Sequence, residues 1–225
     1  MCSSDLIAAL CQTIGAPPTA KLRGGTPLYT LPAIYDPNTR TAISDSGKIV
    51  RYLDKTYPDT HRLIPAELDV LIAAFEDAFW KAFRSDFAPI IVPAAFKVLR
   101  PRSRPYFRQT REAAMSGRLE GLAPIGSQRR AKCWAKLEKD ASKVAAWYEV
   151  YGFKDRVFVL GDDAGLTYAD VVVASFFKWF RQCLGADSEE WKDMVSWNGG
   201  RWEKLLAAFE KYEIVDAGDE VSSRL

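Results

Sequence analysis

The chain has 225 residues, 48% of them apolar and 27% charged, enough for one large or two small domains with a sizeable core. Its 31 Lys and Arg against 29 Asp and Glu leave a formal charge of +2, which argues against a dedicated nucleic-acid binder. The four cysteines, at positions 2, 11, 133 and 183, lack metal-ligand or redox spacing and read as reduced thiols of a cytoplasmic protein with no metal site.

Ser3-Ser4-Asp5 is predicted to open a short helix that runs to Thr13 and ends at Gly15 and the Pro17-Pro18 pair. Cys2, just ahead of it, has no basic setting that would make it a nucleophile. The apolar run at 6–11 is too short, and wrongly flanked, for a secretory signal, and no run is long enough to span a bilayer. Residues 19–27 read as a loop whose Lys21 and Arg23 are solvated charges.

Residues 28–35 suit a pleated strand. Asp36-Pro37-Asn38-Thr39 follows as a turn, and Arg40 to Ser44 returns as a second strand. A helix then starts at Asp45-Ser46, carries Ile49, Val50 and Leu53 on one stripe, and stops before Pro58. Two features of this stretch have chemical content. Pro32 cannot donate to a strand ladder, so it calls for an edge position or a cis Leu31–Pro32 bond, which would leave the Leu31 main chain free for a peptide-like ligand. Asp45-Ser46 at a helix start favours a carboxylate, although spacing alone makes Ser46 a plain helix cap.

Residues 58–66 read as a linker, and its His61, the single histidine of the chain, as solvated surface. Leu68, Leu71, Ile72, Phe75 and Phe79 then recur at helical steps, in a helix expected to run toward Leu99 with a bend or break around Pro89 and Pro93. A connection over 100–105 leads to a charged helix over 106–119. A long helix follows from Ser127 to Tyr151, with Trp134, Leu137, Val144 and Trp147 on its buried side. Thr167 and Asp170 have the spacing of a capping box, opening a helix whose core side is Val171, Val172, Ser175, Phe176 and Trp179. Two closing helices are expected over 188–197 and 200–212, then a loose tail.

The block LYTLPAIYD…AISDSGKIVRYLDKTYP, continued by Arg62-Leu63-Ile64-Pro65 and LGDDAGLTYADVVVASFF, resembles the glutathione S-transferase superfamily, nearest its fungal, etherase-like branch. The resemblance implies an α+β, mostly α fold. A partial thioredoxin-like domain, a β-hairpin plus helices, would cover residues 1–58, and an all-helical C-terminal domain residues 67–215. It implies glutathione as co-substrate and no metal. The Leu31 main chain beside Pro32 would pair with the cysteinyl part of glutathione, and Asp45 and Ser46 would hold its γ-glutamyl end. Lys21 or Arg23 would reach the glycine carboxylate. A hydrophobic, aromatic electrophile would lie between the domains, with Phe79, Phe83, Phe87 and Trp179 as candidates for its wall; core packing is the simpler account of each.

Members of the family begin with a strand, a helix and a strand that carry the residue activating the glutathione thiol, and this sequence supplies no residue for that role. No catalytic residue is therefore assigned. The resemblance implies either a transferase whose natural chain is longer, or a catalytically inactive binding module derived from one. A cytoplasmic homodimer with no nucleic-acid or membrane partner is the family expectation.

Overall fold

The computed structural model describes residues 6–22, 24–83, 87–152 and 155–213. The chain opens with helix α1 (Ile7–Thr13), followed by two antiparallel hairpins, β1 (Ala20–Lys21) with β2 (Pro27–Leu28) and β3 (Ala33–Asp36) with β4 (Thr41–Ser44). The first hairpin corrects the expectation of a loop over 19–27. Its turn is made by Gly24 and Gly25, whose φ of +99° and +86° suit glycine. The single strand expected over 28–35 is likewise divided. After Leu28 the chain stays tied to the first hairpin, because Thr30 N donates to Thr19 Oγ1 at 3.1 Å. Proline 32 then brings no N–H to a ladder, and β3 begins only at Ala33.

In the second hairpin Ala33 faces Ser44 and Asp36 faces Thr41. Asp36 is buried where the turn begins. It accepts Asn38 N at 2.9 Å, Tyr52 Oη at 2.5 Å and Tyr57 Oη at 2.6 Å. Both tyrosines lie in or just beyond helix α2 (Ser46–Thr56), so one carboxylate fastens that helix to the hairpin. Ile49 is buried and Val50 packs against the core, while Leu53 is exposed.

The connection from α2 to the helical part is held on both sides. Asp54 accepts Leu63 N at 3.2 Å and Ile64 N at 2.7 Å. Tyr168 N donates to Leu63 O at 2.8 Å, and His61 Nε2 lies 2.9 Å from Leu166 O, so the histidine read as plain surface also anchors this crossing. Among the described residues the α-helical elements that follow are α3 (Asp69–Ala82), α4 (Ala88–Val98), α5 (Arg104–Met115), α6 (Leu119–Leu122), α7 (Gln128–Tyr148), α8 (Tyr168–Leu184) and α9 (Glu189–Phe209). The helix expected to run on toward Leu99 is two, with Pro89 in the first turn of α4 and Pro93 carried inside it without a break. The charged helix expected over 106–119 is likewise two, α5 and the single turn α6. Within α9 the backbone leaves helical geometry at Trp197 and passes through positive φ at Asn198, Gly199 and Gly200, so this element is two helices divided where the sequence predicts.

Helix α8 is the centre of the helical part, packed against α3, α4 and α9. Its cap has the expected form: buried Asp170 accepts Thr167 N at 2.8 Å and Thr167 Oγ1 at 2.9 Å, and reaches back to Val159 N at 2.7 Å. Its buried arc is not the expected one. Val172 and Phe176 are in the core, but Ser175 and Trp179 are exposed, and Val173, Ala174, Phe177 and Phe180 are buried instead. A helix covered by three neighbours buries a wider arc than a single stripe predicts. Arg130 of α7 grips Glu190 of α9 with two bonds of 2.5 and 2.6 Å and spends a third donor on Ala123 O. Among the described residues no helix is long and apolar enough to cross a membrane.

Candidate functional site

Helix α2 begins at an unusual backbone. Asp45 has φ 84° and ψ 124°, a conformation that costs a non-glycine residue about 1 kcal/mol. The conformation lets Asp45 N donate to Pro32 O at 3.3 Å while Asp45 O accepts Ile49 N at 2.9 Å. Asp45 Oδ1 also accepts Lys48 N at 3.1 Å. Asp45 is therefore the helix cap and Ser46 the first helical residue, which corrects the reading of Ser46 as the cap.

Ser46 has another partner: Tyr168 Oη, from the first turn of α8, donates to its Oγ at 2.9 Å. The N–H groups of Ser46 and Gly47 have no hydrogen-bond partner among the described residues. Space beside Gly47 is tight, since a Cβ there would sit 2.9 Å from Arg51 Nη1, the end of a long side chain. Arg51 in turn donates to Gly47 O at 3.0 Å and to Asp69 Oδ1 through Nε at 2.8 Å and Nη2 at 2.5 Å.

The Leu31–Pro32 bond is cis. The Leu31 N–H and C=O bond to no described residue, and its side chain is 50% exposed. The bond from Asp45 N to Pro32 O sets this open peptide edge beside the open helix tip, so the structure brings Leu31, Pro32, Asp45 and Ser46 together.

One residue of this cluster has no sequence signal. Glu76, half-buried on α3, has Oε1 3.5 Å from Tyr168 Oη. Burial raises its pKa above the usual carboxylate range, and the charge of Asp45 pushes the same way, against Arg51, Tyr168 and the Trp80 indole. Burial likewise holds the Tyr168 hydroxyl protonated.

The cluster offers three kinds of recognition. Two free N–H groups and a hydroxyl at a helix tip suit a carboxylate. Two carboxylates suit a cation. A free main-chain edge suits an extended peptide. One turn beyond Glu76, Trp80 is 42% exposed, and Phe87 and the 37% exposed Trp179 continue the aromatic surface at a ring separation of 6.0 Å. Phe79 and Phe83 do not reach it; both are buried, with Phe83 4.4 Å from Phe176. Cys11 and Cys133 are buried, and burial pushes the Cys183 thiol up. Lys21 is exposed on β1, while Cys2 and Arg23 lie outside the described residues. No group of metal-ligating side chains occurs among the described residues.

The profile of the glutathione S-transferase N-terminal domain matches residues 4–61, and that of the C-terminal domain matches residues 70–212. The chain belongs to the glutathione S-transferase family. Among glutathione S-transferases of known structure, CsGST63524 of Ceriporiopsis subvermispora, crystallised with glutathione, is 46% identical with a TM-score of 0.92, over 96% of this chain and 84% of that one. GSTFuA3 of Phanerochaete chrysosporium is 39% identical with a TM-score of 0.83, over 96% and 83%. The glutathione S-transferase-like protein ustS of Aspergillus flavus is 27% identical over 216 residues, covering 90% of this chain and 73% of that protein.

Proposed function

We propose that the chain binds glutathione along the strip from Leu31 to Ser46 and transfers it to a hydrophobic, aromatic electrophile. The observation that carries this reading is the junction of two unsatisfied backbone surfaces: the free Leu31 peptide edge, and the free Ser46 and Gly47 N–H groups one hydrogen bond away. Glutathione presents matching groups in the same order, a peptide-like cysteinyl unit and then an amino-acid end bearing a carboxylate. Support comes from a relative 46% identical to this chain that has been crystallised with glutathione.

In such a reaction the glutathione thiol loses its proton, its sulfur forms a bond to the electrophilic carbon, and the leaving group departs with the bonding pair. Lys21, exposed on the first hairpin, is the basic residue this reading assigns to the glycine carboxylate. The exposed rings of Trp80 and Trp179, with the half-buried Phe87 between them and the core, give the electrophile an apolar wall one turn along α3 from the γ-glutamyl end. As in the family, a cytoplasmic homodimer is part of this reading.

Titration calorimetry with glutathione, followed by a conjugation assay with a chloro-nitroaromatic, tests it. Binding with conjugation is the expected result. Binding without conjugation would leave a non-conjugating glutathione module, and no binding would refute the site.

A further inference from the structure

We propose that the basic turn joining α4 to α5 docks the protein on an anionic lipid surface, peripherally and without a spanning segment. The inference goes beyond the glutathione reading and does not depend on it. It departs from the family expectation of no membrane partner. Three observations carry it. First, charge is concentrated in this turn. Residues 97–111 hold Lys97, Arg100, Arg102, Arg104, Arg108 and Arg111 and no carboxylate. The whole chain has a formal charge of only +2, so the remainder is net acidic. One basic face on an otherwise acidic molecule orients it toward a negative surface.

Second, the turn is held from within while its outer cations are uncommitted. Arg104 donates through Nε to Leu99 O and through Nη2 to Lys97 O, both at 3.0 Å. Arg108 pairs with Glu112 at 2.7 Å and Glu120 at 2.6 Å, and its guanidinium lies 4.5 Å from the centre of the Phe96 ring. These two arginines build the turn. Lys97, Arg100 and Arg102 are exposed and form no ion pair with a described residue, so their charge is left for a partner outside the chain.

Third, apolar side chains stand among these cations. Val98 is 56% exposed and Ile125 78%. Ile125 and Lys97 line one groove of about 360 Å³, walled by Phe96, Leu119 and Pro124, so both belong to one side of the molecule. Tyr106 is exposed in the first turn of α5, a helix with no fully buried residue. A polyphosphate chain would pair with the cations and leave the aliphatic side chains in water. A bilayer takes both, with headgroups against the cations and Val98 and Ile125 in the interface. Helix α4 sets this turn about 15 Å from Phe87, so a docked molecule holds its aromatic surface close to the layer where hydrophobic compounds collect.

The test is flotation of the full chain with phosphatidylcholine vesicles, with and without added phosphatidylserine, at low and at physiological salt. Binding is expected only with the anionic lipid and should weaken as salt rises. The triple variant Lys97→Gln, Arg100→Gln and Arg102→Gln should lose about tenfold or more in vesicle affinity, since each cation near such a surface contributes up to about fivefold. Val98→Ser with Ile125→Ser should lose about tenfold. Both variants change exposed side chains only and should melt with the wild type; the lipid and salt comparison on the wild-type chain stands without them. A wild-type chain that ignores phosphatidylserine at low salt overturns the proposal, as does full vesicle affinity in the triple variant. Full affinity in the aliphatic variant alone makes the face a general polyanion patch and overturns the lipid assignment.

Discussion

Tyr168, in the first turn of the buried helix α8, donates its hydroxyl to Ser46 at the tip of α2, 2.9 Å away and 122 residues earlier in the chain. Because the Ser46 oxygen accepts this bond, its own proton is left to donate to another acceptor. The main chain of the same tyrosine donates to Leu63 O at 2.8 Å. One residue thus locks the connection between domains and orients a group of the candidate site.

Tyr168→Phe keeps the buried ring and removes only the hydroxyl. Loss of one such bond is worth about 1 kcal/mol, so the glutathione dissociation constant should rise roughly fivefold and the melting temperature should fall by about 2–4 °C. Calorimetry on Tyr168→Phe, Ser46→Ala and the double variant checks this. The two effects should be clearly less than additive, since both remove one interaction.

Asp170→Ala removes the partner of three donors at once, Val159 N, Thr167 N and Thr167 Oγ1, at a residue with no exposed surface. Buried donors left unpaired cost about 1–3 kcal/mol each, so the loss should be on the order of 3 kcal/mol or more, read from the urea midpoint. Asp170→Asn, which keeps one acceptor oxygen, should lose less.

This cap was legible in the sequence because it is local: a hydroxyl and a carboxylate three positions apart before an apolar run specify their own geometry. The start of α2 was half legible. Asp45-Ser46 marks a helix end, but which of the two caps depends on the backbone bend at Asp45, and that bend depends on Pro32 lying alongside. Glu76 was not legible at all. On α3 it is an ordinary polar position, and it gains meaning only when the fold sets it against Tyr168 and the α2 tip. The phase of α8 is hard to read for a related reason: most of its apolar residues are buried, on more than one side of the helix, so periodicity carries little information. The first hairpin, by contrast, had a signal in Gly24-Gly25 that local reasoning can use.

Asp36 makes the fold sensitive to acid. The Tyr52 hydroxyl, then that of Tyr57, stabilise its charged form and pull its pKa from 3.8 down to about 2. Between those values the unfolded chain binds more protons than the folded one, so stability rises with pH across the window. The contribution is fully present above pH 3.8 and is lost as pH falls toward about 2. Urea midpoints measured from pH 2 to 5 should show this slope, and the double variant Tyr52→Phe and Tyr57→Phe should flatten it. An unchanged slope in that variant would mean that other carboxylates set the acid limit.

Gly47→Ala sets two effects against each other. Alanine is the better helix former by about 1 kcal/mol. Its Cβ, however, would lie 2.9 Å from Arg51 Nη1. That guanidinium is not free to yield, because it holds Asp69 and the Gly47 carbonyl itself. Overpacking of this kind costs about 1–3 kcal/mol, so the variant should be slightly destabilised despite its helix propensity. The displaced Arg51 and the tilted first turn should also weaken glutathione binding by about fivefold or more, because the Ser46 and Gly47 N–H groups lose their aim. Restoring space with Arg51→Lys in the Gly47→Ala background should relieve the clash but not regain the fork to Asp69, so stability should stay below wild type. A Gly47→Ala protein that melts higher and binds glutathione as well as the parent would show that the tip of α2 has slack the structure does not display.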